Sequence, residues 1–154
     1  MKKIILYFSL TGNTEKVAEK IEEIKHFDIE SLKPSTPYSN NYEKAGKRAE
    51  SEKDNDIHPA LASLSINIDD YDLIYLGFPT WWYQPPMLIH TFFESINLKG
   101  KKIIPFTTSA SSTIQDSLPV LTQLAQQNDV ELLRGFTANS EREIKKYFDS
   151  EKID

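Results

Sequence analysis

The 154-residue sequence encodes an α/β fold, a five-stranded parallel sheet with helices on both faces. Three features carry that reading. Apolar runs of strand length alternate with segments whose apolar residues recur at helical spacing; the first run is apolar almost throughout; and polar turns with glycine or proline separate the two kinds of segment. A parallel pair needs a right-handed crossover, which a helix supplies, so such alternation leaves helices on both sides of the sheet.

The first strand covers residues 3–8 and ends at a polar, glycine-containing turn, as a strand covered on both faces does. A helix follows, with Asn13 or Thr14 placed to cap it, Glu15 complementing its positive end, and Val17, Ile21 and Ile24 forming an apolar stripe. Phe27 to Leu32 predicts a short second strand that stops before Pro34. From Lys33 to about His58 the chain is polar and charge-rich, which predicts a solvated helix or a long surface excursion, with a lid over a site as the functional alternative. Pro59 to Leu64 predicts a short helix. Tyr71 to Gly77 predicts the third strand, ending at the glycine before Pro79.

Leu88, Phe92, Phe93 and Ile96 share one helical face, and Lys99-Gly100 stops that helix ahead of a fourth strand at Lys102 to Phe106. Ile114, Leu118, Leu121 and Ala125 mark another helix. Val130 to Leu133 predicts the fifth strand, and Ile144, Tyr147 and Phe148 anchor a last helix. Neither an internal repeat nor a linker divides the chain, so residues 1–154 are expected to form one domain.

Composition narrows the chemistry. With 39% hydrophobic residues the chain has material for a core, and with no cysteine it has no disulfide, thiolate metal site or cysteine nucleophile. The apolar run at Met1 to Phe8 is too short for a signal peptide and no stretch is long enough to span a membrane, so a cytoplasmic protein is expected. A net charge of −5 disfavours nucleic acid and anionic lipid as partners. His26, His58 and His90 show no metal-ligand spacing and are expected in surface or packing roles; Asp69, Asp70 and Asp72 precede the third strand and are expected to solvate its start.

Ligands of open parallel sheets bind at the carboxyl ends of the strands, where the strand order reverses. Three loops emerge there. The first, Ser9-Leu10-Thr11-Gly12-Asn13-Thr14, combines hydroxyls, an amide and a glycine at a helix start. It reads either as an anion site suited to a phosphate monoester or as a polar turn with a capped helix. It has no lysine or arginine and lacks the glycine spacings of the Walker and dinucleotide motifs. The second, Pro79-Thr80-Trp81-Trp82-Tyr83, offers aromatic surface on which a planar ligand could stack, or, for Trp81, a plug closing the core. The third, Thr107-Thr108-Ser109-Ala110-Ser111, offers small hydroxyl donors.

Together these loops resemble those of the flavodoxin family, the Ser-x-Thr-Gly-Asn-Thr loop most specifically, over nearly the whole chain. The resemblance implies a three-layer sandwich with strand order 2-1-3-4-5. It also implies bound FMN, with its phosphate on Ser9 to Thr14, its isoalloxazine beside Pro79 to Tyr83, and its pyrimidine edge at Thr107 to Ser111. Gly77 to Trp82, followed by Pro85-Pro86 and Thr91 to Glu94, is similar to a bacterial subgroup with a Pro-x-Trp-Trp loop. That subgroup usually has glycine where this chain has Tyr83, and in the third loop where it has Ala110 and Ser111. Because tyrosine resists positive φ, a backbone rearrangement at Tyr83 on flavin reduction is expected to be hindered or to use another residue.

The resemblance also implies a short-chain member, Val130 to Phe136 running straight on to the final helix. A phosphate held without a side-chain cation, beside apolar rings, is expected to lower the flavin potential. The expected activity is electron transfer, redox proteins docking transiently at the exposed flavin edge, rather than stand-alone catalysis. The alternative is an FMN-dependent NAD(P)H:quinone reductase roofed by Tyr83, Gln84 and the 34–58 segment, and a third reading is a binding module with a degenerate site.

Overall fold

The computed structural model describes residues 1–109 and 112–151. Its strands are β1 (Lys3–Tyr7), β2 (Asp28–Ser31), β3 (Leu73–Pro79), β4 (Lys102–Thr108), β5 (Glu131–Leu132) and β6 (Phe136–Thr137). Its helices are α1 (Asn13–Lys25), α2 (Tyr42–Asp54), α3 (Met87–Ser95), α4 (Ile114–Gln127) and α5 (Glu141–Ser150). The sheet runs β2-β1-β3-β4-β5, every pair parallel, with β6 also on β4. This is the predicted order with one added strand.

Side-chain alternation along β1 divides the interior into two cores. Ile4, Leu6 and Phe8 join Ile74, Leu76, Phe78 and the apolar faces of α3 and α4, while Ile5 and Tyr7 join Leu73, Tyr75, Ile104, Phe106, α1 and α5. Burial on both faces explains why β1 reads as a continuous apolar run.

Four expectations are corrected. β3 does not stop at Gly77 but continues to Pro79. The glycine lies inside the strand because the Phe106 ring occupies the place of a side chain: a Cβ there would sit 2.2 Å from the ring. The fifth strand does not run straight on; it divides into β5 and β6 opposite Pro105. Lys101, Ile103 and Thr107 turn their carbonyls to this edge and accept from Glu131, Leu133 and Ala138, so by alternation Pro105 faces the same edge without an N–H to give. The register steps from Ile103↔Leu132 to Phe106↔Phe136, one residue more on the edge strand, and Gly135 fills the bulge.

Residues 59–64 form no helix. Pro34 and Leu61 pair instead as an antiparallel bridge, with the Ser35 N–H on the Ala60 carbonyl at 2.7 Å and the Ala62 N–H on the Lys33 carbonyl at 2.8 Å. This bridge closes the neck of the polar excursion, and α2 lies inside it. Finally, neither Asn13 nor Thr14 caps α1. The N-cap is Gly12, in the left-handed region at φ 93°, and no side chain caps the helix.

Candidate functional site

The chain leaves β1 outward to β2, then returns past β1 to β3, so the order reverses between β1 and β3 and a crevice opens at their carboxyl ends. The first loop fills its floor. Ser9 accepts the Gly12 N–H at 3.1 Å, which leaves the following amides pointing past the loop. The first helical bond runs from the Lys16 N–H to the Gly12 carbonyl at 3.0 Å. No side chain therefore caps α1, and its first amides are left without a side-chain partner.

Thr14 has another task. Buried to 1% exposure, its hydroxyl lies 2.8 Å from that of Thr108 and fastens the start of α1 to the end of β4. Thr107 pairs likewise with Thr80 through their hydroxyls, and the Thr80 N–H donates to the Thr108 carbonyl at 2.9 Å. The Ser109 N–H donates to the Asn139 side chain at 2.9 Å. These bonds link all three loops before any ligand arrives, and rigid first contacts reduce the ordering cost of binding.

The second loop is a two-residue hairpin. Trp81 and Gln84 exchange backbone hydrogen bonds of 3.0 and 3.2 Å, and Trp82 and Tyr83 between them have φ of 50° and 62°. This turn type requires positive φ at both central positions, since only that twist matches the flanking strands. Tyr83 thus already adopts the positive φ that a tyrosine ordinarily resists, held there by the hairpin. Trp81 turns inward, edge-on to Phe8 at 5.6 Å and to Tyr38 at 6.1 Å, and also walls the cavity, so it closes the core and serves the site together. Trp82 (43% exposed) and Tyr83 (68%) point into solvent and do not line the cavity, contrary to the expectation for both.

The resulting cavity measures about 760 Å³. Leu10, Thr11, Asn13, Thr14, Pro79, Thr80, Trp81, Thr108 and Ser109 line it directly, whereas Ser9, Gly12 and Thr107 act from behind by shaping the loops. Ala110 and Ser111 lie outside the described residues. Below the first loop, Tyr7 of β1 donates to Glu15 at 3.4 Å, and burial followed by the Glu15 charge pushes its phenol up to about 12, so Tyr7 stays neutral.

Sequence reasoning missed Tyr42, Lys16, Lys20 and Asn139, all of which line the same cavity. Asn139 follows β6, and comparing the end of the last strand with the other three would have found it. Lys16 and Lys20 lie one and two turns into α1, on the helix side that faces the cavity; Lys20 is already engaged by Glu141 at 3.2 Å and Glu23 at 3.5 Å. The loop itself holds no cation, whereas the wider cavity has Lys16 and Lys20 in its wall. Nothing local marks Tyr42, because the excursion that carries it reaches the site only through tertiary packing. Among the described residues, no group of three His, Asp or Glu side chains is placed to hold a metal ion, and no helix is long and apolar enough to cross a membrane.

Comparison with known proteins follows the same lines. A family model described as flavodoxin matches residues 2–151. A crystal structure of a candidate flavoprotein from Bacteroides eggerthii is 33% identical, with a TM-score of 0.84 over 96% of each chain. A flavoprotein from Lactobacillus acidophilus, solved in complex with FMN, is 27% identical, with a TM-score of 0.77 over 96% of this chain and 98% of that one. Oxidised Flavodoxin 1 from Bacillus cereus, at 19% identity and a TM-score of 0.57 over 97% of this chain and 93% of that one, shares the fold. No curated protein matches the chain.

Proposed function

The chain belongs to the flavodoxin family, and from that premise we propose that it binds FMN non-covalently in the cavity between its three loops and carries electrons between redox proteins. The uncapped end of α1 is the observation that carries this reading. A 13-residue helix that opens on Gly12 presents its first amides to the cavity, and an anion is what such an end accepts. The chemistry of the walls fits the rest of the group: Trp81 and Pro79 supply apolar surface for a flat ring system, and Thr108 and Ser109 supply polar groups for its edge. The similarity to a flavoprotein solved with FMN supports the same assignment.

FMN, when bound, supplies the ability to accept and release electrons. The chain's own residues bind and orient it. Ser9 and Gly12 hold the loop open, the amides of residues 13–15 take the phosphate with Lys16 nearby, and the Thr14–Thr108 and Thr80–Thr107 pairs fix the loops that flank the ring. The exposed Trp82 and Tyr83 of the second loop support docking of redox proteins on that side.

Purifying the protein with added FMN and recording its absorption spectrum tests the binding claim; a colourless protein that takes up no FMN refutes it and leaves the degenerate module. The position of Tyr42, which brings the excursion to the cavity wall, favours direct reduction of a small substrate as a second reading. Fast NAD(P)H oxidation with a quinone, in the absence of a separate reductase, would establish that reading over the carrier.

A further inference from the structure

Away from the FMN cavity, the excursion is tied to α3 by a compact group of titratable side chains. His58 directs Nε2 at the Asp56 carboxylate, 2.8 Å away, and Nδ1 at the Glu94 carboxylate. His90, one turn before Glu94 on α3, packs against the His58 ring, tilted by 36° with 4.9 Å between centroids. The two histidines that looked unrelated in sequence are neighbours. Nearby on α2, Lys53 and Asp54 pair with each other at 2.6 Å, so neither adds an unbalanced charge to the group.

With both carboxylates ionised, the geometry suits one protonation state of His58. A neutral imidazole has one N–H and one lone pair, while an ionised carboxylate only accepts, so an imidazole that bonds a carboxylate through each nitrogen must donate twice. Only imidazolium does so. Once it loses a proton, one of the two contacts becomes a lone pair facing a carboxylate and is repelled.

We propose that Asp56, His58 and Glu94 form a proton-operated latch that holds the end of α2 against α3 while His58 is protonated and releases it when His58 is neutral. The shifts in acidity run the same way. For His58, burial works against the charge, but the Asp56 and Glu94 hydrogen bonds and charges outweigh it, and its pKa lies above the ordinary 6.5. For His90, burial and then the His58 charge lower it. His58 therefore stabilises the closed latch below its ordinary pKa and loses that contribution as pH rises through its raised one. In acid, protonation of His90 places a second positive charge beside the first. The latch is strongest between the two titrations.

Release is local. Thr91 holds the Pro59 carbonyl at 2.7 Å, and the neck bridge at Pro34 and Leu61 contains no titrating group, so the freed segment is the last turn of α2 and residues 55–58. That turn carries Lys53, whose ammonium lies 5.4 Å from the centre of the Trp82 ring, so the state of the latch reaches the aromatic hairpin.

Hydrogen exchange and histidine NMR on the full chain test the idea between about pH 6 and about pH 9. The amides of Asn55 and Ile57, bonded to Ser51 and Glu52, should lose protection, corrected for intrinsic rate, with a midpoint that follows the His58 titration, while α1 does not change. His58→Asn should show the unprotected behaviour throughout, and Glu94→Gln should abolish the wild-type midpoint. Ring ¹⁵N shifts of the wild type decide independently of either variant, with both His58 nitrogens protonated below its midpoint. A His58 pKa at or below the free-imidazole value, protection that is flat with pH, or an unchanged midpoint in Glu94→Gln would overturn the proposal.

Discussion

Replacing Gly12 by alanine separates the contribution of the FMN phosphate from that of the ring. Gly12 has φ 93°, and a Cβ built there meets no atom within 4 Å, so the methyl group has room and any effect must come through the backbone. An L-residue held in so sparsely populated a region costs about 1–3 kcal/mol. In the free variant the loop should relieve that strain by turning, which moves the first amides of α1 out of line. Binding phosphate requires them back, so the same strain is charged against FMN and its Kd should rise about 5- to 150-fold. Riboflavin lacks the phosphate and makes no use of those amides.

Fluorescence titrations of both flavins into wild type and Gly12→Ala give the answer as a ratio. FMN affinity should fall by the stated factor, while riboflavin affinity stays within about three-fold, a difference below one kcal/mol. Equal losses for both ligands would show that Gly12 serves the general shape of the cavity, and no loss for either would remove the phosphate from α1. Either outcome defeats the reasoning.

Three substitutions examine the scaffold around that loop. Tyr83→Gly removes a left-handed non-glycine residue, relieving about 1–2 kcal/mol of strain against about 0.5–1 kcal/mol of added chain entropy; urea unfolding should show a small net gain in stability. Gly135→Ala puts a Cβ 2.1 Å from the Pro105 carbonyl oxygen, a backbone atom that cannot rotate away, and should cost at least about 2 kcal/mol, read as a fall in Tm. Thr14→Val keeps the shape but leaves the buried Thr108 hydroxyl without its 2.8 Å partner, costing about 1–2 kcal/mol in unfolding, most of which Thr14→Ser should restore.

The regular elements were legible in the sequence because their signals are local. The apolar run of β1 and the stripe at Val17, Ile21 and Ile24 report burial directly, and the order of strands and helices follows from them. The three loops were legible because parallel topology sends the ends of β1, β3 and β4 to one side. What escaped depends on partners distant in the chain. Gly77 resembles a strand end until Phe106 is seen over it, and Pro105 interrupts a neighbouring strand rather than its own. Thr14 resembles a cap until Thr108, 94 residues away, takes its hydroxyl.

The excursion shows how a polar segment can nonetheless define an aromatic wall. Of α2, only Ala45, Ala49 and Glu52 are buried, too little apolar surface to fix the helix by burial alone. Glu52 supplies the missing specificity. Its carboxylate, 5% exposed, accepts from Arg48 at 3.1 Å and from the Tyr38 hydroxyl, while the Arg48 guanidinium lies 4.0 Å from the centre of the Tyr38 ring. A buried charge left without these partners would cost several kcal/mol, so alternative registers of α2 are penalised more than the native one is rewarded. Burial, then the Glu52 bond, raise the Tyr38 phenol, which keeps it a neutral donor to that carboxylate. Held in this way, the Tyr38 ring packs against Phe8 at 5.8 Å and Trp81 at 6.1 Å. The position of Trp81 at the cavity thus depends on a charged network behind it, and the polarity that made residues 33–58 look like mere surface is what fastens them to the site.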